Sequence, residues 1–358
     1  MKAVSWNEGD RVAHQRFGLG TVQSVNGDRI GVQFDAGKRG LFRAEYLRDP
    51  SAVSQSACTA WPDGTFVQEA PGATHFMGSH WEPFVDDVRQ VMRRLPEFVG
   101  SAVVQCGYGE SRPAPRPVPA EWTRGFQLVS PTPDRGVALV MQVEPARTLL
   151  VSLFPVTQLG CQTGVRLNKV TVWDGGLEAQ IMASWGDSEV TFFDTRHVVD
   201  RSWYEAGRTY DFILSGLAYQ ACPAATGELT IPLAPDVIAA LDRLLPADER
   251  PVEPVGTVRL DGSAWLLPLR DGDADEYRFR GPIKVVTPFK DWLGQDGWRV
   301  RVTVMRHGSG EAMRDADLDI HITHRAWRAD APPHVGQDIE GTLWLQGFLW
   351  MPTGPSAA

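Results

Sequence analysis

The most constraining feature of this chain is a series of short apolar segments separated by glycines, EGDRVAHQRFGLGTVQSVNGDRIGVQFDAGKRGLFRAEYL, between Glu8 and Leu47. From Ile30 to Phe34 apolar and polar residues alternate, which is the period of a half-buried strand. Glycine adopts positive φ without a Cβ clash and therefore favours tight turns. Short strands without intervening helices close most readily into a small β-barrel, and another small β-meander is the alternative. The glycines that shape this segment are Gly18, Gly20, Gly27 and Gly37.

The skeleton of this segment is GDxVxHxxFGxGTV, followed by a Gly-Asp turn, an alternating strand and a closing Tyr-Leu pair. It resembles the small Tudor-like, SH3-like barrel at the carboxyl end of UvrD/PcrA-type helicases and, in style, the polymerase-binding domain of CarD-type regulators. The resemblance implies a protein-interaction module that docks RNA polymerase or a DNA-repair or helicase complex. Unlike in the helicases, the segment is amino-terminal and no helicase motor accompanies it. The expected partner-binding edge consists of Arg16, Phe17, Lys38, Arg39 and Phe42.

Composition and charge limit the classes of partner. With 43% apolar and 22% charged residues, the 358-residue chain has an ordinary globular composition and is long enough for several domains. The first 50 residues hold eight of the 35 basic and six of the 44 acidic residues, which leaves 27 basic and 38 acidic residues in the remainder. A net-negative body disfavours broad, sequence-independent binding of duplex nucleic acid, although a local groove stays possible.

The sequence predicts a cytoplasmic protein. No apolar stretch approaches the roughly 20 residues of a membrane helix. The amino-terminal residues MKAVSWNEGDRV lack the apolar region of a signal peptide. The four cysteines are widely spaced without a C-x-x-C pair, which favours reduced thiols: Cys58, Cys106, Cys161 and Cys222.

We expect a mainly β fold with a minor helical part. The predicted domains are a Tudor-like barrel (1–50), a helical and loop connector with a proline-rich spacer (51–120), and two OB-like Greek-key barrels (121–246 and 247–358). An apolar stripe predicts a helix from Phe84 to Leu95 that Pro96 closes. A second short helix is predicted between Ala234 and Leu245.

The two barrels are inferred from an internal repeat. Strand-like segments at 176–185, 189–195 and 204–219 are followed, later in the chain, by similar segments at 297–306, 317–327 and 334–350. In both copies a glycine interrupts the long last strand, Gly216 in the first and Gly347 in the second. Such a glycine suits a strand that bends around a barrel corner. Generic strand–turn–strand similarity is the alternative explanation.

Thirteen tryptophans suggest a second hypothesis, a single-stranded nucleic-acid-binding protein that uses the paired barrels. Aromatic rings can stack on bases, while neighbouring arginines contact the backbone. Filling of the protein core is the competing interpretation for each ring. The candidate residues are Trp298, Arg299, Arg301, Trp327 and Trp344.

Signals for catalysis are weak. His321 and His324 resemble a metal-ligand pair, but residues three apart in a strand point to opposite faces, and solvated residues on a barrel exterior are the alternative. The acidic segment DGDADE (271–276) begins like a calcium loop, yet Glu276 stands where glycine is required, so we expect a solvated acidic turn. No phosphate-binding loop, zinc-protease or nucleophile motif occurs.

We therefore predict a non-enzymatic bacterial adaptor without a cofactor and without membrane association. An enzyme with a dispersed or metal-dependent site is the third hypothesis.

Overall fold

The computed structural model describes residues 6–14, 18–27, 29–34, 39–44, 47–48, 64–68, 79–105, 122–173, 176–225, 229–232, 257–260, 264–269, 272–308 and 313–350. The fold is mainly β, as the sequence predicts. The helices are α1 (Arg89–Arg93), α2 (Leu95–Ser101) and α3 (His197–Asp200). The strands are β1 (Arg11–His14), β2 (Gly18–Asn26), β3 (Arg29–Phe34), β4 (Arg39–Arg43), β5 (Leu47–Arg48), β6 (Phe66–Gln68), β7 (Val103–Gln105), β8 (Gly125–Pro131), β9 (Arg135–Glu144), β10 (Arg147–Thr157), β11 (Cys161–Val172), β12 (Ala179–Trp185), β13 (Ser188–Asp194), β14 (Thr209–Pro223), β15 (Leu229–Pro232), β16 (Thr257–Leu260), β17 (Trp265–Pro268), β18 (Glu276–Trp292), β19 (Gln295–His307), β20 (Arg314–Thr323) and β21 (Asp338–Leu349).

The amino-terminal strands form an antiparallel sheet in the order β4-β3-β2-β1-β5. Val12 and Val22 are almost fully buried within it, and so are Ile30 and Val32, as the alternation from Ile30 to Phe34 predicts. Gly27 has a φ of +63° in the turn between β2 and β3, the conformation that favours glycine. The predicted Tudor-like character of this sheet stays a prediction.

A ten-stranded sheet forms the centre of the remaining chain, in the order β17-β18-β19-β20-β14-β21-β13-β12-β11-β6. Two further pairings, β14 with β11 and β18 with β21, close this sheet on itself twice. The first ring of strands is β11-β12-β13-β21-β14, and the second ring is β18-β19-β20-β14-β21. The long antiparallel pair β14–β21 therefore belongs to both rings.

The two copies of the sequence repeat occupy equivalent positions in these rings. β13 of the first copy pairs in parallel with β21, and β20 of the second copy pairs in parallel with β14. Each ring thus takes one strand from the other copy, which differs from the expectation of two barrels that each close on their own strands. The physical reason is that β14 and β21, the last strands of the two copies, are long. Each can therefore pair its backbone hydrogen-bonding groups with strands of both rings.

Strands β7–β10 form a separate four-stranded sheet in the order β10-β9-β8-β7, although the sequence assigned β8–β10 to the first barrel. This sheet and residues 79–101 of the connector cover the outer face of the shared strands. Val137 and Leu139 from the four-stranded sheet pack in one apolar cluster with Phe193, Leu217 and Trp344 from the ten-stranded sheet. The interior of the two rings forms a second, larger cluster.

The predicted helix at 84–95 is shorter and is followed by another. Phe84 lies in a turn, α1 covers only Arg89–Arg93, and Pro96 stands in the first turn of α2 rather than after a helix end. Proline fits a first helical turn because its missing N–H would have no partner there. The predicted linker at 49–55, the proline-rich spacer, the helix at 234–245 and the boundary segment at 246–254 fall outside the described residues. Within the described ranges, no helix has the length and apolar character needed to cross a bilayer.

Candidate functional sites

The outward side of β3 and β4 combines arginines with one exposed leucine. Arg39 lies opposite Gln33 and Leu41 lies opposite Gly31 across the two strands, and Arg29 shares their face by alternation. Because Gly31 has no side chain, Leu41 stays 56% exposed. In the part of the chain that the structure describes, neither Arg29 nor Arg39 has a carboxylate at ion-pair distance. We call Arg29, Arg39 and Leu41 the basic face.

The basic face overlaps only in part with the predicted partner-binding edge. Arg39 is exposed and donates a hydrogen bond to the side chain of Gln33. Phe42 is half-buried, with its ring edge-to-face against Phe34 at 5.3 Å, and packs on the core of the small sheet. The other predicted contact residues fall outside the described residues: Arg16, Phe17 and Lys38.

The structure places Trp298 on one face of β19 and the predicted arginines, Arg299 and Arg301, on the other. Arg301 donates to both carboxylate oxygens of Asp319, at 2.8 and 3.2 Å, and Arg299 lies 3.9 Å from the same group. These hydrogen bonds raise the pKa of Arg301. Trp298 packs on the opposite side, against Trp327 at 6.3 Å. Both guanidinium groups are therefore directed to the single carboxylate of Asp319 and do not converge with the rings.

Two of the three candidate tryptophans are buried. Trp327 is 7% exposed, and its indole N–H donates to the carbonyl of Ala331 at 2.7 Å. Trp344 has no exposed area, and its indole donates to Asp275 at 3.1 Å. A fully covered ring offers no face to a base, so core filling describes Trp344 better than base stacking.

The two histidines of the predicted pair lie in different environments. His321 is fully buried, its Nε2 lies 3.0 Å from the carbonyl oxygen of Leu159, and burial lowers its pKa to about 4. His324 is exposed and lies against Trp298 at 4.5 Å. Across the described ranges, no three His, Cys, Asp or Glu side chains are grouped so that they could hold a metal ion.

The described part of the acidic segment at 271–276 is solvated only in part, because Asp273 is exposed whereas Asp275 and Glu276 are buried. Asp275 and Glu276 are 1% and 7% exposed, because the segment enters the interior just before β18. Tyr219 donates to Glu276 Oε1 at 2.7 Å, and the same hydroxyl lies 2.7 Å from His80 Nδ1. His80 also stacks on Trp344 at 3.9 Å. These carboxylates therefore accept hydrogen bonds from residues of β14 and β21.

A second buried polar cluster follows β13. Asp194 accepts a hydrogen bond from Tyr204 at 2.6 Å and lies 3.5 Å from His197, and Arg196 lies 3.3 Å from Asp200. Burial raises the pKa of Asp200 to about 7 and lowers that of His197. The cluster ties the short helix α3 to the end of β13.

A cleft of about 190 Å³ lies where the ends of β14, β21 and β18 run side by side. Its lining includes the strand segments 220–222 and 340–342, together with Trp265, Arg278 and Arg328. Arg278 projects from β18 with its guanidinium 5.7 Å from the ring of Trp265. Arg328 follows the turn after β20, and its backbone N–H donates to Ala221 at 2.8 Å. The cleft thus collects two arginines from distant parts of the sequence.

Comparison with protein-family profiles, curated protein sequences and solved structures finds no match. The sites are therefore interpreted from their own chemistry.

Sequence reasoning missed the cleft and both buried clusters. The segment DTRHVVDRSWY carries charged residues three and four apart, the spacing of one helix face, and could have drawn attention to α3. Burial of that face depends on strands more than 100 residues away. Arg278 and Arg328 carry no local signal at all, since each stands alone in an ordinary strand or turn.

Proposed function

We propose that this protein is an adaptor whose amino-terminal sheet docks an acidic, extended segment of a protein partner. The observation that carries the proposal is the basic face: Arg29 and Arg39 flank the exposed Leu41 on one side of the sheet. Arginine suits such a contact because its planar fork can bind a carboxylate with two hydrogen bonds.

The position of β4 supports an extended ligand. Within the described residues, β4 pairs only with β3 and stands at the edge of its sheet. An edge strand offers backbone N–H and C=O groups to an added strand, and alternate side chains of the ligand then meet the basic face. Leu41 would supply the apolar anchor, and the arginines would select acidic neighbours. A subunit of RNA polymerase or of a DNA-repair or helicase complex is the partner class that the Tudor-like resemblance implies.

Charge contrast also favours an acidic protein over nucleic acid. The small sheet belongs to a segment with a basic excess, whereas the remaining chain has 38 acidic and 27 basic residues. A phosphate backbone would meet repulsion from that larger acidic body, while a short acidic segment can contact the basic face alone.

The test is affinity capture of the full-length protein from its native lysate, with and without nuclease. The wild type is compared with Arg29→Glu/Arg39→Glu and with a matched control, Arg124→Glu/Arg314→Glu, which changes the same charge at exposed sites elsewhere. We expect a nuclease-resistant partner that the control retains and the first variant loses by about tenfold or more, since charge-assisted hydrogen bonds are removed.

The bound segment is identified by replacing Leu41 with a photoreactive amino acid and mapping the cross-linked peptide. The same replacement of Val285, which is 44% exposed on the body, is the control. An acidic peptide cross-linked only from position 41 is the expected result. Partners that disappear with nuclease, or that bind both double variants equally, would reject the proposal.

A further inference from the structure

The cleft beside Arg278 and Arg328 has the charge of an anion site. In the part of the chain that the structure describes, neither guanidinium has a carboxylate at ion-pair distance. Glu340 also lines the cleft, but its carboxylate lies 3.7 Å from Arg280 and is already engaged. The lining therefore has two arginines that can bind an anion, and its one carboxylate is already paired with Arg280.

The other groups in the cleft suit an oxyanion. Gln220 and Thr342 line it and contribute neutral hydrogen-bond donors, and Thr342 lies opposite both Gln220 and Arg278 in the sheet. The thiol of Cys222 is also in the lining, and burial followed by the charge of Glu340 raises its pKa. A neutral thiol does not repel an anion. No nucleophilic role for Cys222 follows from this environment.

The position of Arg278 over Trp265 prepares the site. A guanidinium held near an aromatic face gains a cation–π interaction and loses rotamer freedom before a ligand arrives. Less side-chain entropy is then lost on binding. Arg328 is anchored through its backbone, because the adjoining turn is hydrogen-bonded to β14 at Ala221 in both directions, at 2.8 and 3.0 Å.

The volume of the cleft limits the size of the ligand that it can enclose. A volume of 190 Å³ is smaller than the roughly 300–1,000 Å³ of sites for drug-sized molecules. It suits a compact charged group and is too small to enclose a whole nucleotide. We propose that this cleft binds a phosphate or pyrophosphate group, either free or at the end of a larger ligand.

This proposal is independent of the docking function, because the cleft lies on strands β14, β18 and β21 and involves none of the basic face. The test uses the full-length protein and isothermal titration calorimetry with inorganic phosphate, pyrophosphate and ADP at low ionic strength. Arg278→Gln and Arg328→Gln are compared with Arg314→Gln, an exposed arginine of β20 outside the cleft. We expect each cleft variant to raise the Kd of pyrophosphate about tenfold, and the control to leave it unchanged.

A second measurement needs no variant. Alkylation of individual cysteines, read by mass spectrometry, should slow at Cys222 when pyrophosphate is bound and stay unchanged at Cys161, which is outside the cleft. Cys161 also reports whether a variant is folded, because burial raises the pKa of its thiol to about 12 and unfolding would make it reactive. ADP that binds more tightly than pyrophosphate, with the same dependence on both arginines, would identify the group as the end of a larger ligand. Absence of binding at millimolar concentrations, or binding that neither arginine affects, would overturn the proposal.

Discussion

At the scale of single residues, the molecule buries several ionisable side chains inside a β fold. Asp194 and Asp200 are 2% and 0% exposed, and Arg196 is 7% exposed. Burying an unpaired charge is costly, so such groups persist where they are paired or neutral. Tyr204 donates a hydrogen bond to Asp194, and His197 lies close to the same carboxylate. Arg196 lies close to the carboxylate of Asp200. Because these side chains join α3 to the end of β13, the pairing contributes to how α3 is held.

Asp200 makes the stability of the fold depend on pH. Its pKa rises from 3.8 to about 7 on folding, because burial penalises the carboxylate. The folded state therefore binds a proton that the unfolded state releases, and the contribution of Asp200 to stability is full below pH 3.8 and is lost as the pH rises towards 7. Asp200→Asn cannot titrate, so its free energy of unfolding should increase relative to the wild type over this interval and level off above it.

Urea unfolding at several pH values measures this difference, with Asp187→Asn at an exposed turn as the control. Comparing variant with wild type matters, because the lowered pKa values of His197 and His321 act in the opposite direction below pH 6.5. A gap between Asp200→Asn and the wild type that stays constant with pH would show that Asp200 does not titrate in this way.

At the scale of elements, glycines decide where strands can approach one another. Gly216 and Gly347 stand next to Ser215 and Gln346, which pair across the centre of β14 and β21. A Cβ on Gly347 would lie 2.6 Å from Leu214, and one on Gly216 would lie 2.9 Å from Leu343. The sequence predicted these glycines as sites of strand bending, and close packing inside the shared ladder is the reason the structure shows.

Gly341 provides the sharpest test of this packing. An added Cβ would overlap the backbone oxygen of Gln220, beside the irregular register of β14, and backbone cannot move aside as a flexible side chain can. Gly341→Ala should lower the free energy of unfolding by roughly 1–3 kcal/mol, the usual cost of overpacking. Gly164→Ala in β11 is the matched control, since its Cβ meets only a side-chain oxygen of Asp211 at 3.5 Å.

Urea denaturation followed by tryptophan fluorescence measures both variants. Gly164→Ala should be neutral or stabilising, because alanine restricts the unfolded chain more than glycine does. Equal stability of the two variants would mean that β14 can shift at Gln220 without cost.

At the scale of the whole molecule, the shared pair β14–β21 makes the two repeat copies one folding unit. Neither ring is complete without a strand from the other copy. A chain cut between the copies would leave β13 and β20 each without its parallel neighbour, an exposed edge that favours aggregation. The two rings should therefore unfold together, in contrast to independent barrels.

Leu345→Ala tests this coupling, because Leu345 is fully buried on β21 within the common core. Removing a buried leucine side chain should cost roughly 2–5 kcal/mol. Hydrogen exchange read by mass spectrometry in mild denaturant should show β12 and β19 losing protection to the same extent. Val143→Ala, at a 42% exposed position of β9, should leave both unchanged. Loss of protection in β19 alone would contradict a single unit.

Local sequence patterns were sufficient to predict these strands and turns. Alternation from Ile30 to Phe34, the turn at Gly27 and the paired glycines Gly216 and Gly347 are properties of neighbouring residues, and the structure has each of them in the expected element. Period two reports which residues share a face, because successive side chains in a strand point to opposite sides.

The partner of a strand and the cover over its outer face are not local properties. The local pattern allows His321 to lie on a barrel exterior, yet His321 and Trp344 are both buried, because the four-stranded sheet and residues 79–101 cover that face. Sharing β14 and β21 between the two rings leaves the alternation within each strand unchanged. Two separate barrels and two rings with shared strands therefore have the same local sequence pattern. Arg278 and Arg328 line one cleft only because the ends of β14, β18 and β21 run side by side near the turn after β20, and that arrangement is set by long-range pairing of backbone hydrogen bonds.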